Sequence, residues 1–243
     1  MYDIVLDLGG PIFKILKLNK THQVVPNTAK ESHYSKIGSA TYQIPLGSVI
    51  AVLSAPSGGK NTFVNTLVGE DEATSPIFHI DTGALIRQHG NSDHADQAKK
   101  GALIDDLDAL EIIQGHFDQH FHQQRHQAVF VNGFPRRIKQ VHMVDGIHSG
   151  TTKILLHLKV CDKVAFDRFK MGLEDPDRKD RKDNDPNVYR RRLSEFRRHE
   201  PLVLREARCA GFMILKCRID RCPHTRDAAR DFQRKHMRQF FAA

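Results

Sequence analysis

Residues 48–69 read SVIAVLSAPSGGKNTFVNTLVG, and the way this stretch folds decides the rest of the chain. SVIAVLS is a short apolar run, ended by Pro56 and two glycines. Such a run fits a buried parallel strand closed by a tight turn. TFVNTLV then follows helical spacing and stops at Gly69. The turn between strand and helix therefore presents free amides and the positive end of a helix dipole, which together favour an anion. Gly58 and Gly59 let the backbone approach such an anion closely, and Lys60 adds a point charge. The Thr62 hydroxyl can face the water shell of a divalent cation. The strict GxxxxGK[ST] pattern is not met, because Ser54 stands at its first glycine and Asn61 follows the lysine. Ser57 also occupies a place where glycine is usual in such loops, and a serine forced to positive φ carries strain. Alone, the loop is compatible with phosphate binding and with a plain strand–turn–helix corner.

Four more apolar runs follow: IFHI (77–80), AVFVN (128–132), KILLHLKV (153–160) and FMILK (212–216). Helical stretches separate them. The clearest places Leu103, Leu107, Leu110, Ile113, Phe117 and Phe121 on one face. Five strands alternating with helices predict an α/β fold, a five-stranded parallel sheet flanked by helices on both sides. The domain is expected over 47–243. Residues 1–46 stand outside the alternation as an N-terminal extension, an apolar patch broken by Gly9, Gly10 and Pro11 and then a polar linker. The basic amphipathic tail, RDAARDFQRKHMRQFFAA, is expected to dock as a helix.

Of the 243 residues, 40% are hydrophobic and 27% charged, as in a globular chain with a real core. No apolar run approaches the ~20 residues of a membrane span. Asp3 and Asp7 interrupt the first apolar stretch, and no basic leader precedes it, so a secretory signal is not expected. The four cysteines lack CxxC spacing and are read as reduced thiols of a cytoplasmic protein, with Cys217 and Cys222 the pair that could bridge. A net charge of +8 suits polyanionic partners, either nucleotides or nucleic acid.

Three stretches separate those partners. HIDTGALIR (79–87), VNGFPRR (131–137) and RKDNDPNVYRRRL (181–193) follow APSGGKNT in order. Together they resemble the adenylate kinase family of P-loop nucleoside monophosphate kinases. That family runs GxPGSGKGT, ISTGDLLR, DGFPR with a Gln four residues after the Arg, and RxDD before a helix ending in RL. The resemblance covers roughly residues 48–240. It implies a small helical AMP-binding insertion near 80–115 and a short lid near 172–186. It further implies Mg-dependent, reversible transfer of the ATP γ-phosphoryl group to AMP, giving two ADP. Ser57, Gly58, Gly59, Lys60, Asn61 and Thr62 would wrap the ATP phosphates, and Arg168 would pack on the donor adenine. Thr82, Arg87, Gly133 and Arg136 would hold AMP, with Gln140 reading its adenine. Lys60, Arg136, Arg181 and Arg192 would act in catalysis. Mg²⁺ would arrive with ATP, held through water near Thr62 and Asn132 rather than by direct protein ligands. Thr82 and Gln140 are the choices expected for AMP, whereas relatives acting on UMP or CMP carry Ala and Asn. The lid stretch has no cysteine or histidine for zinc. A monomer is expected, with no nucleic-acid partner.

The residue types suit the chemistry. Two polyanions must meet end to end, and arginine offers a permanent charge on a fixed bidentate fork. Phosphoryl transfer depends on positioning and electrostatics more than on covalent help from the protein. Of Arg190, Arg191 and Arg192, helical spacing allows one or two to reach a common site, and Arg192 is the one that precedes Leu193 as in the family. Several positions depart from the family. Asn132 replaces the Asp of DGFPR, Asp81 and Ala84 replace the usual Ser and Asp, and Gly172 stands where a second Arg is common, with Lys170 nearby to compensate. Two other readings stay open: a nucleotide-binding protein with weak or no catalysis, and a kinase for another small acceptor such as UMP or CMP.

Overall fold

The computed structural model describes residues 5–7, 42–69, 71, 74–89, 93–94, 97, 103–122, 126–148, 152–174, 185–220 and 224–241. In chain order the strands are β1 (Val5–Asp7), β2 (Ser48–Leu53), β3 (Ile77–Asp81), β4 (Ala128–Asn132), β5 (Lys153–Lys159) and β6 (Met213–Arg218). The helices are α1 (Lys60–Val68), α2 (Thr82–His89), α3 (Asp106–His120), α4 (Ile138–Ile147), α5 (Asp162–Leu173), α6 (Pro186–Cys209) and α7 (Thr225–His236).

The five expected strands form a parallel sheet in the order β6-β5-β2-β4-β3. All six residues of β2 are buried, as its central place requires. Strand alternation sends Ile50 and Val52 to one side, where they meet Phe63 and Leu67 of α1 and Phe232 of α7. Val49, Ala51 and Leu53 go to the other, with Ile113 of α3, Val141 of α4 and Val203 of α6. The sheet is thus covered on both faces, and all five parallel strands end on the same side.

One expectation needs correction. The apolar face of the third helix does not include Leu103, which precedes it, or Leu107, which is 66% exposed. Asp105 caps α3 by accepting the Leu107 amide at 2.8 Å, and this sets a phase in which Asp106, Ala109, Ile113 and Phe117 face inward. Part of the extension packs on the domain: Ile44 is fully buried, its amide donates to the His236 carbonyl at 2.9 Å, and Gln43 Nε2 donates to the Lys235 carbonyl at 2.8 Å. These contacts tie the extension to the docked C-terminal helix. The extension also supplies β1, a sixth strand, antiparallel to β6 at the sheet edge. Arg181, most of the expected lid (175–184) and Cys222 lie outside the described residues. Among the described residues no helix is long and apolar enough to cross a membrane.

Candidate functional site

At the carboxyl ends of the parallel strands lies a cleft of about 1150 Å³. In open α/β sheets this is where ligands are held. Its floor is the β2–α1 loop. The glycine at 58 is required, because a Cβ there would lie 2.3 Å from Ser54 Oγ and 2.8 Å from the Ala55 carbonyl oxygen. Gly59 has φ of 90°, and a Cβ on it would meet Thr225 Oγ1 at 2.9 Å, where α7 begins. Of the two loop serines, Ser57 carries the strain, at φ 54°, while Ser54 does not adopt positive φ. Ser54 is buried and its Oγ has no partner.

Lys60, the first residue of α1, folds back over this loop and donates to the carbonyls of Ser54 at 3.3 Å and Ala55 at 3.2 Å. It keeps part of its surface open to the cleft. Crowding by protein, then Arg136 and Arg192, push its ammonium down to about 7, with Asp81 acting the other way. Arg168 of α5 donates to the Gly58 carbonyl at 3.1 Å and the Ile219 carbonyl at 3.3 Å, which fastens the loop to the end of β6. The resemblance implies that this arginine packs on a donor base; in the structure its guanidinium supports the loop backbone.

The opposite wall comes from the tips of β3 and β4. Thr82 opens α2, is 2% exposed, and its hydroxyl has no partner. Gly133 takes φ of 88° and leaves room for the Arg136 guanidinium, which a Cβ would approach to 2.9 Å. Arg136 Nε donates to the Gly133 carbonyl at 2.7 Å. Crowding by protein first, then Arg192, lower the Arg136 guanidinium to about 10, although the side chain keeps an open surface toward the cleft; Asp81 opposes this, and Arg87 adds to it. Three arginines from α2, the β4–α4 loop and α6 thus repel one another around one space together with Lys60, an arrangement that a polyanion relieves.

Every described residue of the expected site lines this cleft: Ser57 through Thr62, Thr82, Arg87, Asn132, Gly133, Arg136, Gln140, Arg168 and Arg192. Arg190 and Arg191 do not line it, as helical spacing requires. Lys170 does not line it either and cannot stand in at Gly172: its ammonium lies 3.1 Å from Asp167 on the outer side of α5. Gln140 is buried, and its amide is engaged on both sides. Its Oε1 accepts the Arg136 amide at 2.6 Å, and its Nε2 donates to Asp106 Oδ1 at 2.7 Å.

No protein-family model matches the chain. No curated protein matches it either. The functional reading therefore stands on the geometry and on the ordered motifs.

Two features escaped the sequence reading: one group of residues, and one linkage among residues already named. Thr225, with His224 and Arg230, brings the start of α7 to the cleft beside the loop. Asp81, Asn61 and Asn132 form a chain of side-chain hydrogen bonds: Asn61 Nδ2 donates to Asp81 Oδ2 at 2.5 Å, and Asn132 Nδ2 donates to Asn61 Oδ1 at 3.0 Å. The available signal was a polar residue at the end of two adjacent parallel strands. Asn132 is 1% exposed, and its Oδ1 has no partner. With the Asp81 carboxylate and the Thr62 hydroxyl, this orphaned oxygen makes a hard-oxygen donor set that fits the water shell of Mg²⁺, an ion that usually keeps several waters. Among the described residues no group of three His, Cys, Asp or Glu side chains could hold a metal directly.

Proposed function

We propose that the protein is a nucleoside monophosphate kinase, transferring the γ-phosphoryl group of ATP to AMP reversibly and giving two ADP. The observation that carries this reading is the convergence of the α1 amino terminus with Lys60, Arg87, Arg136 and Arg192 on one cleft. One phosphate ester is satisfied by fewer cations. Four, drawn from four parts of the chain, suit two phosphate chains held end to end.

In the transfer, an oxygen of the acceptor phosphate attacks the γ-phosphorus in line, and the bond to the β,γ-bridging oxygen breaks. No covalent enzyme intermediate is needed. The α1 amides and Lys60 hold the donor phosphates, Arg87 and Arg136 hold the acceptor phosphate, and Arg192 covers the charge between them. Thr62 and Asn132 would hold the water shell of a Mg²⁺ ion arriving with ATP, which would supply further charge neutralisation. The reading carries with it a monomeric, cytoplasmic enzyme with ATP and AMP as substrates.

A coupled assay of ADP production tests it. Lys60→Ala and Arg136→Ala should each lower kcat/KM by about a hundredfold or more. Activity that persists in both overturns the assignment. A second reading, a protein that binds nucleotide without efficient turnover, is favoured by the left-handed Ser57 and the uncharged Asn132. Calorimetric binding of ATP and AMP with no ADP formed selects it. The engaged amide of Gln140 is the observation favouring another acceptor, and preference for UMP or CMP over AMP selects that outcome.

A further inference from the structure

Asp81 and Asn132 are register partners at the carboxyl ends of neighbouring parallel strands. Neighbouring strands lie ~4.8 Å apart, so an acid on β3 reaches nearly the space that an acid at the β4 tip would serve. Asn61, in the first turn of α1, joins the two tips. Its bond from Asn132 Nδ2 fixes which end of that amide turns away, leaving the partnerless Oδ1 in a residue that lines the cleft. The Asp81 carboxylate is held at both oxygens: Oδ1 accepts the Ala84 amide at 3.1 Å, and Oδ2 accepts from Asn61. Each oxygen keeps a further lone pair. The other acids lining the cleft, Glu195 and Asp227, come from α6 and α7. Asp81 is the acid whose field acts on both Lys60 and Arg136.

We propose that Asp81, fixed by Asn61, supplies the carboxylate that orients the water shell of the nucleotide's divalent cation, and that Asn132 Oδ1 accepts from a second water of that shell. The negative charge of the site then stands on β3, with β4 contributing a neutral acceptor. Asp81 is a positioning residue in this arrangement, and the inference rests on the phosphoryl-transfer reading of the cleft. Asn61, placed where a second small residue would leave the strand tips unjoined, is the clamp that holds both acceptors.

The test uses the full chain with Mn²⁺ in place of Mg²⁺. ATP affinity is measured by calorimetry without metal, and Mn²⁺ affinity of the protein–ATP complex by electron paramagnetic resonance. Asp81→Asn retains an oxygen for the Ala84 amide, so the fold and metal-free ATP binding should persist while Mn²⁺ affinity falls by about tenfold or more. Asn132→Asp in the Asp81→Asn background returns the carboxylate one strand over and should restore Mn²⁺ affinity to within about threefold of the original. Unchanged Mn²⁺ affinity in Asp81→Asn, with ATP still bound, overturns the inference and leaves the kinase reading standing. A loss that Asn132→Asp fails to restore also overturns it, since Asp81 would then act as helix cap or proton acceptor. If the unaltered chain binds no ATP, the kinase reading falls and this inference with it.

Discussion

The Arg136 backbone amide and the Gln140 side chain are locked together at 2.6 Å, and the same side chain passes on to Asp106 at 2.7 Å. Arg137 NH1 also donates to Asp106 Oδ1, at 3.1 Å. This network joins the loop that carries Arg136 to the start of α3. Gln140→Leu would leave the Arg136 amide without its partner and the Asp106 carboxylate with Arg137 alone, at a cost of about 1–3 kcal/mol. Urea unfolding should show that loss, together with weaker acceptor binding. Unchanged stability would mean that water replaces the lost partners without cost.

The β2–α1 loop should respond in opposite directions to two small changes. Ser57→Gly removes a left-handed serine and should raise stability by about 1 kcal/mol, partly offset by the freer unfolded chain. Gly58→Ala forces a methyl group against Ser54 Oγ and the Ala55 carbonyl, so ATP affinity should fall by about tenfold or more. Thermal melts and ATP titrations of the two variants separate these effects.

Lys60 links the cleft to pH. In the unfolded chain its ammonium ionises near its ordinary 10.5, and in the folded protein near 7. Between those values the unfolded state binds more protons, so the contribution of this residue to stability rises as pH climbs from 7 towards 10.5. A bound polyphosphate reverses the balance by favouring the charged form. ATP binding should therefore take up a proton above pH 7, and affinity should weaken as pH rises. Calorimetry at pH 8 in buffers of different ionisation heat reads that uptake, and Lys60→Met should abolish it.

His157 Nε2 of β5 lies 2.8 Å from Glu200 Oε1 of α6, with side chains 5% and 13% exposed. Burial alone would push the Glu200 carboxyl up. Hydrogen bonds from His157 and Arg197 outweigh it and hold the group below its ordinary 4.5. Its stabilisation is present above pH 4.5 and lost as pH falls through the lower folded value. Because α6 also carries Arg192, Glu200→Gln should cost about 3 kcal/mol and lower turnover as well. Denaturation measured across pH 3–7 should show a smaller acid dependence in the variant.

The parallel strands were legible because each is a short apolar run buried on both faces, so β2 through β6 sit within a residue or two of their expected places. The strand–turn–helix corner was legible because an apolar run ends in Pro56 and two glycines before a helical pattern. The exposure of Leu107 was not, since the phase of α3 depends on the Asp105 cap rather than on spacing alone. Partners far apart in sequence were also hidden. Gln140 and Asp106 are 34 residues apart, and Asn132 and Asn61 are 71 apart, so only the assembled sheet brings each pair together. Lys170 looked equivalent to an arginine of the cleft because spacing on α5 does not reveal which neighbour claims its charge.

The antiparallel pairing of Val5, Leu6 and Asp7 with Lys216, Leu215 and Ile214 has a consequence for solubility. Without it, β6 would present bare amides and carbonyls along an apolar margin, a template on which a second molecule could add its own strand. Val5–Asp7 thus cover that margin of β6. A chain shortened past Asp7 should form concentration-dependent assemblies that the full chain avoids.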